Sequence, residues 1–117
     1  MSNLKSDFDR LVEELGMELG RQGRTLHVQG YGKDSGHKFS LKSRLTFGWV
    51  SIKTRLDYIA VGTKREWADK AGVSDYLPKP RSQFGEPGAH WIVHEDNQSE
   101  RKKVVGYLAR VCNARHS

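Results

Sequence analysis

The chain has 117 residues, of which 36% are hydrophobic, and its Lys+Arg 20 against Asp+Glu 14 give a formal charge of +6. That size and apolar share suit one domain, spanning 1–117, with a single small core. No run in the sequence approaches 18 consecutive apolar residues, which excludes a membrane-spanning helix. The opening MSNLKSDFDR lacks the apolar block of a signal peptide, and the lone Cys112 cannot form an internal disulfide, so a reducing, cytoplasmic setting is expected.

The first segment, residues 3–19, predicts an amphipathic helix. Phe8, Leu11, Val12, Leu15 and Leu19 form one stripe at helical period. Ser2 or Ser6 can cap it, Asp7 and Asp9 favour its start, and Gly20 can end it. Its acidic residues lie off the stripe and are expected to face water.

From Arg24 to Gly62 the period changes to two. Leu26 and Val28 alternate with Thr25 and His27, and Phe39 and Leu41 alternate with Lys38, Ser40 and Lys42. Two richer runs follow, 47–52 and 56–61, giving four strands of which the second pair is the more central. A glycine-rich turn over 30–36 and a tight turn at 53–55 join them. Such short connections predict an antiparallel meander, because a parallel crossover needs a dozen residues or more.

Residues 64–71 predict a short helix ended by Gly72. The stretch 74–88 holds all three prolines and is expected to be loop. His90–His94 predicts a fifth short strand. The closing helix, over 98–114, carries Val104, Val105, Leu108, Val111 and Cys112 at helical spacing, with Asp96, Asn97 or Ser99 as its cap. Two apolar helices over one antiparallel sheet make a two-layer α+β domain. The other face of the sheet, shared by His27, Lys38, Lys42 and Lys53, is then expected to be open and basic.

The charge is concentrated. Residues 1–20 carry a net −3, whereas 21–56 hold eight basic residues and one acid, a net +7. A focused positive field is what attracts a polyanion, although lysines on strands also discourage aggregation at sheet edges. Tyr31, Phe39, Phe47, Trp49 and Tyr58 are interleaved with those cations. Exposed rings among Lys and Arg can stack bases. Phe39 and Phe47 are expected in the core, and Tyr31 with Trp49 or Trp67 at the surface. No helix-turn-helix, zinc-finger or RNP signature accompanies them.

The strand pair Lys38-Phe39 through Phe47-Gly48-Trp49-Val50-Ser51-Ile52-Lys53, the Gly88-Ala89-His90-Trp91 turn and the helix around Val105–Val111 together resemble the DUF5655-type domains. These are small bacterial domains, some described as predicted transport proteins and some found beside nuclease-like domains. The resemblance spans about residues 22–112. It implies an accessory or binding module with no established chemistry.

Four constellations in the sequence bear chemically reactive groups. His90 and His94, with Cys112 and His116 downstream, are zinc-type ligands. On a strand, however, residues four apart lie about 13 Å apart, too far to share an ion. Glu100-Arg101-Lys102, with Asp57 or Asp34, offers an acid-x-Lys triplet for metal-assisted hydrolysis, but it begins a helix, where Glu100 is simply a favourable first-turn charge. Gly30-x-Gly32-x-x-x-Gly36 with Lys33 and Lys38 could cradle a phosphate but lacks the P-loop ending. Cys112, on an apolar stripe, acts as a small hydrophobe.

The expected function is therefore a non-enzymatic domain binding nucleic acid or another polyanion, with no cofactor and no catalytic or metal residue assigned. Arg24, Lys33, Lys38, Lys42, Arg44, Lys53 and Arg55 would make the electrostatic contacts, and Tyr31 and Trp49 would stack. The alternative is a protein-interaction module (an adaptor, or an inhibitor encoded by a phage or other mobile element) working through Tyr76, Leu77 and Phe84 of the 74–88 loop. A metal-dependent hydrolase is the third reading.

Overall fold

A computed structural model describes residues 4–31, 36–41, 46–53, 57–73 and 88–116, with the backbone alone at Tyr31, 88–90 and His116. The order is α1 (Leu4–Gly20), β1 (Leu26–Tyr31), β2 (Gly36–Leu41), β3 (Thr46–Lys53), β4 (Tyr58–Lys64), α2 (Arg65–Ala71), β5 (Gly88–His94) and α3 (Gln98–His116). All neighbouring strands pair antiparallel in the order β1-β2-β3-β4-β5, the expected meander. The domain is a small, compact α+β unit. No described helix is long and apolar enough to cross a membrane.

The α1 stripe behaves as its spacing requires, with Phe8, Leu11, Leu15 and Leu19 buried. Its end differs from expectation. Gly20 is still helical, and the left-handed residue that stops the helix is Gly23, at φ +75°. There the Arg24 N–H donates to the Leu19 carbonyl and the Gly23 N–H to that of Gly20, the double bond of a Schellman cap. Gly72 ends α2 in the same way, at φ +73°, and the bond from Val73 N–H to Ala68 carries a buried apolar contact with it. At the start of α3, Asn97 is the cap, its Oδ1 accepting the Glu100 N–H at 2.9 Å.

One face of the sheet meets α1 and α3. Phe39, Leu41, Val50, Ile59, Val61, Trp91 and Val93 point into this layer and pack with the helix stripes and with Val104, Leu108, Val111 and Cys112. The His37 ring lies 4.6 Å from that of Phe8, and the Trp91 ring 5.3 Å from that of Tyr107, one contact to each helix.

The register slips once, between Phe39 and Ser40. Phe39 pairs with Gly48 but Ser40 with Thr46, so Phe47 is the extra residue of a β-bulge. The bulge lets two successive residues serve the core. Phe47 is buried and stacks with Phe39 at 6.2 Å, while the Cβ direction of Gly48 points at Leu108.

Two further expectations are corrected. Strands β1 and β2 run further than foreseen: Gly30 pairs with His37 and Tyr31 with Gly36, so both ends of the expected 30–36 turn are strand, and its remainder, 32–35, lies outside the described residues. Asp7 does not face water. It is 1% exposed, and its Oδ2 accepts the N–H of Asp96 at 2.9 Å.

Candidate nucleic-acid interface

Side chains of directly paired residues share a face, and successive residues alternate. With Phe39, Val50, Ile59 and Val93 fixed in the core, the register assigns His27, Gln29, Lys38, Ser40, Trp49, Ser51, Lys53, Tyr58, Ile92 and His94 to the side away from α1 and α3. Lys64 falls on that side as well, two residues beyond Gly62. The five strands carry three lysines and not one carboxylate, and all three lysines belong to this face.

Two cross-strand pairs organise it. Lys38 of β2 stands opposite Trp49 of β3, and Lys53 of β3 opposite Tyr58 of β4. Partners in such pairs have Cβ atoms about 5 Å apart. Along β3 the two pairs are separated by four residues, about 13 Å. All four side chains are half-buried, so each presents some surface to solvent.

Each ring is braced. The cross-strand partner of Trp49 on β4 is Gly62, which has no side chain to compete for the space. Trp49 stacks on Trp67 of α2 with centroids 5.6 Å apart and planes inclined by 14°. The Arg115 guanidinium lies 4.0 Å from the Trp67 centroid and the Lys64 ammonium 5.2 Å from it. Arg115 is itself tethered, its Nε donating to the Thr46 carbonyl at 3.2 Å. Tyr58 makes an edge contact with His94 at 6.2 Å. His94 is held by Glu100, whose carboxylate accepts the His94 backbone N–H at 2.9 Å and approaches Nδ1 at 2.9 and 3.2 Å. A carboxylate only accepts, so Nδ1 is the ring nitrogen that donates here.

Among the expected contact residues, Lys38, Lys53 and Trp49 are thus brought together. Arg24 is not. It lines a groove of about 490 Å³ between α1 and β1 with Val12, Gly16, Met17 and Leu26, and its Nη1 donates to Gln22. Lys33, Lys42, Arg44 and Arg55 lie outside the described residues, as does the Tyr31 side chain. Sequence reasoning passed over Trp67 and Arg115 as supports and Lys64 as a member of the face. Only Lys64 left a trace, since Tyr58 to Lys64 continue the period of two. The Trp67 and Arg115 contacts arise from tertiary packing.

The other constellations fall out differently. Glu100 is engaged with His94, and Asp57 accepts the Glu95 N–H through its backbone carbonyl. Among the described residues, no group of three or more His, Cys, Asp or Glu is placed to hold a metal ion. Cys112 is fully buried, and burial pushes its thiol above the usual range against the opposing pull of Arg24. The buried charges form a structural tie. Arg101, 5% exposed, donates through Nε to Glu14 at 2.7 Å and lies 4.0 Å from Asp7, joining α1 to α3.

Comparisons with family models, curated proteins and solved structures gave no match to this chain.

Proposed function

We propose that this chain is a non-enzymatic nucleic-acid-binding domain that meets its ligand with the sheet face opposite the α1–α3 core layer. One observation carries the reading: the strands hold lysines and no carboxylate, and the register gathers those lysines on one side. The helices, by contrast, hold eight carboxylates against nine Lys and Arg. A sheet whose strands carry only positive charge offers a polyanion an attractive side. The resemblance to DUF5655-type domains points to the same broad class, a binding module. A lone buried thiol suits the reducing cytoplasm.

The alternative, a protein-interaction module working through the 74–88 loop, draws on a stretch of which the structure describes only Gly88.

Salt dependence tests the proposal. The binding constant should fall linearly on a log–log plot against salt, with a slope of roughly −0.7 to −0.9 per neutralised phosphate. Replacing Lys38 or Lys53 by Ala should each reduce that slope by nearly one contact. Replacing Lys103, exposed on α3, should leave it unchanged. Absence of binding to DNA and RNA at low salt, or a flat dependence, refutes the reading.

A further inference from the structure

The lysine face is not uniform: a lysine is paired with an aromatic ring twice, as Lys38 with Trp49 and as Lys53 with Tyr58. We infer that the ligand is a single-stranded nucleic acid lying along β3, its bases stacked on Trp49 and Tyr58 and its phosphates held by Lys38 and Lys53. This rests on the polyanion reading above and names the form of the polyanion.

Chemistry and dimensions both favour a single strand. A polymer that alternates a flat base with a charged phosphate matches a surface that alternates a ring with an ammonium group. The two pairs, about 13 Å apart along the strand, place the rings too far apart for one base and suitably for separate nucleotides. A duplex keeps its bases stacked inside. Its major groove, about 12 Å wide, admits a helix or a two-stranded ribbon. Five strands at about 4.8 Å spacing form a surface about 19 Å wide. A duplex could therefore touch the lysines with its backbone but could not bring a base to either ring.

The rings are ordered before any ligand arrives. Trp49 is backed by Trp67, and Trp67 by an Arg115 that is itself hydrogen-bonded to β3. Tyr58 is backed by a His94 fixed by Glu100. A ring already held in place loses little rotamer freedom when a base stacks on it, which favours binding. Gln29 is the one amide side chain among the described strands, so the bidentate amide–adenine contact has a single candidate on this face. Stacking of this kind tolerates any sequence.

The decisive measurement is fluorescence anisotropy at low salt with three labelled probes: a 20-mer of deoxythymidine, a 20-mer of uridine and a mixed-sequence 20-bp DNA duplex. At least one single strand should bind tenfold or more tightly than the duplex. Trp49→Leu should weaken single-strand binding by about 5- to 100-fold, the range of one lost base–aromatic stack. It should leave duplex binding within twofold, and Trp49→Phe should restore much of the loss. Tyr58→Leu gives the same test at the second ring should Trp49→Leu fail to fold, as judged by its melting curve. Equal binding of duplex and single strands, with both substitutions silent, overturns this inference and leaves the polyanion reading standing. Failure of all three probes to bind overturns both.

Discussion

Gly48→Ala tests the bulge that turns Phe47 inward and Trp49 outward. A Cβ at Gly48 would sit 3.1 Å from Leu108 Cδ2 and 3.2 Å from the Gly62 carbonyl oxygen. Neither neighbour gives way easily. Leu108 is fully buried in the helix layer, and the carbonyl belongs to a strand paired on both sides. Forcing a methyl into such a core costs about 1–3 kcal/mol, while removing a strand glycine returns up to about 1 kcal/mol. The net loss should be about 1–2 kcal/mol, a fall in melting temperature of roughly 4 to 8 °C for a domain of this size. Gly106→Ala supplies the opposite sign. It lies in the interior of α3, and a Cβ there meets nothing within 4 Å. It should stabilise by about 0.8–1 kcal/mol through helix propensity alone. Urea melts followed by far-UV circular dichroism measure both, with the denaturant slope unchanged in each case. A neutral or stabilising Gly48→Ala, or a destabilising Gly106→Ala, refutes the packing argument.

The buried tie and the buried thiol give two more. Arg101→Met leaves Asp7 buried without its nearest cation and should cost about 3 kcal/mol. The double variant with Asp7→Asn should recover part of that in a denaturation-based mutant cycle, because the amide oxygen can still accept the Asp96 N–H. Strictly additive losses would show that the two residues do not interact. For Cys112, the raised thiol pKa fixes the sign of a pH effect. Its stabilising contribution is fully present below the unfolded thiol value, about 8.5, and is lost as pH rises through the folded value. Cys112→Ala should therefore flatten the alkaline decline in stability, and an identical decline in both proteins would exclude the effect. Native Cys112 should also react with a thiol reagent only as fast as the core opens.

Period and spacing made much of the fold legible, because they report one-dimensional facts. Leu26 with Val28, and Phe39 with Leu41, alternate with polar neighbours, and the same alternation that turned them toward the core placed His27, Lys38 and Lys53 on the far side. What period alone cannot show is a break in period. At Phe47-Gly48 the bulge sends two consecutive residues to one face, and nothing in the alternation announces it. Nor can local pattern find partners distant in sequence. Asp7 adjoins the apolar stripe of α1 but reads as one more solvent-facing acid, because the backbone N–H that it accepts belongs to Asp96 and its nearest cation to Arg101. Trp67 likewise gains its role only when α2 brings it against Trp49 and α3 brings Arg115 against it.

The same separation of layers explains why the net charge of +6 understates the field that a ligand meets. Acidic residues of the regular elements are confined to helices, where several are already paired: Asp9 with Lys5, Glu18 with Arg21, Glu14 with Arg101. Short pairs of this kind cancel within a few ångströms and reach little beyond a Debye length of about 8 Å at physiological salt, whereas Lys102, Lys103 and Arg110 of α3 are exposed and keep that helix positive. The strands themselves add no carboxylate to the lysines' face, and the one that reaches it, Glu100, is engaged with His94. Near the sheet, the unbalanced charge is therefore that of Lys38, Lys53 and Lys64, and it sits beside the rings of Trp49 and Tyr58. On the function proposed above, that pairing of charge and ring is what would let a polyanion attracted to this side also stack a base there.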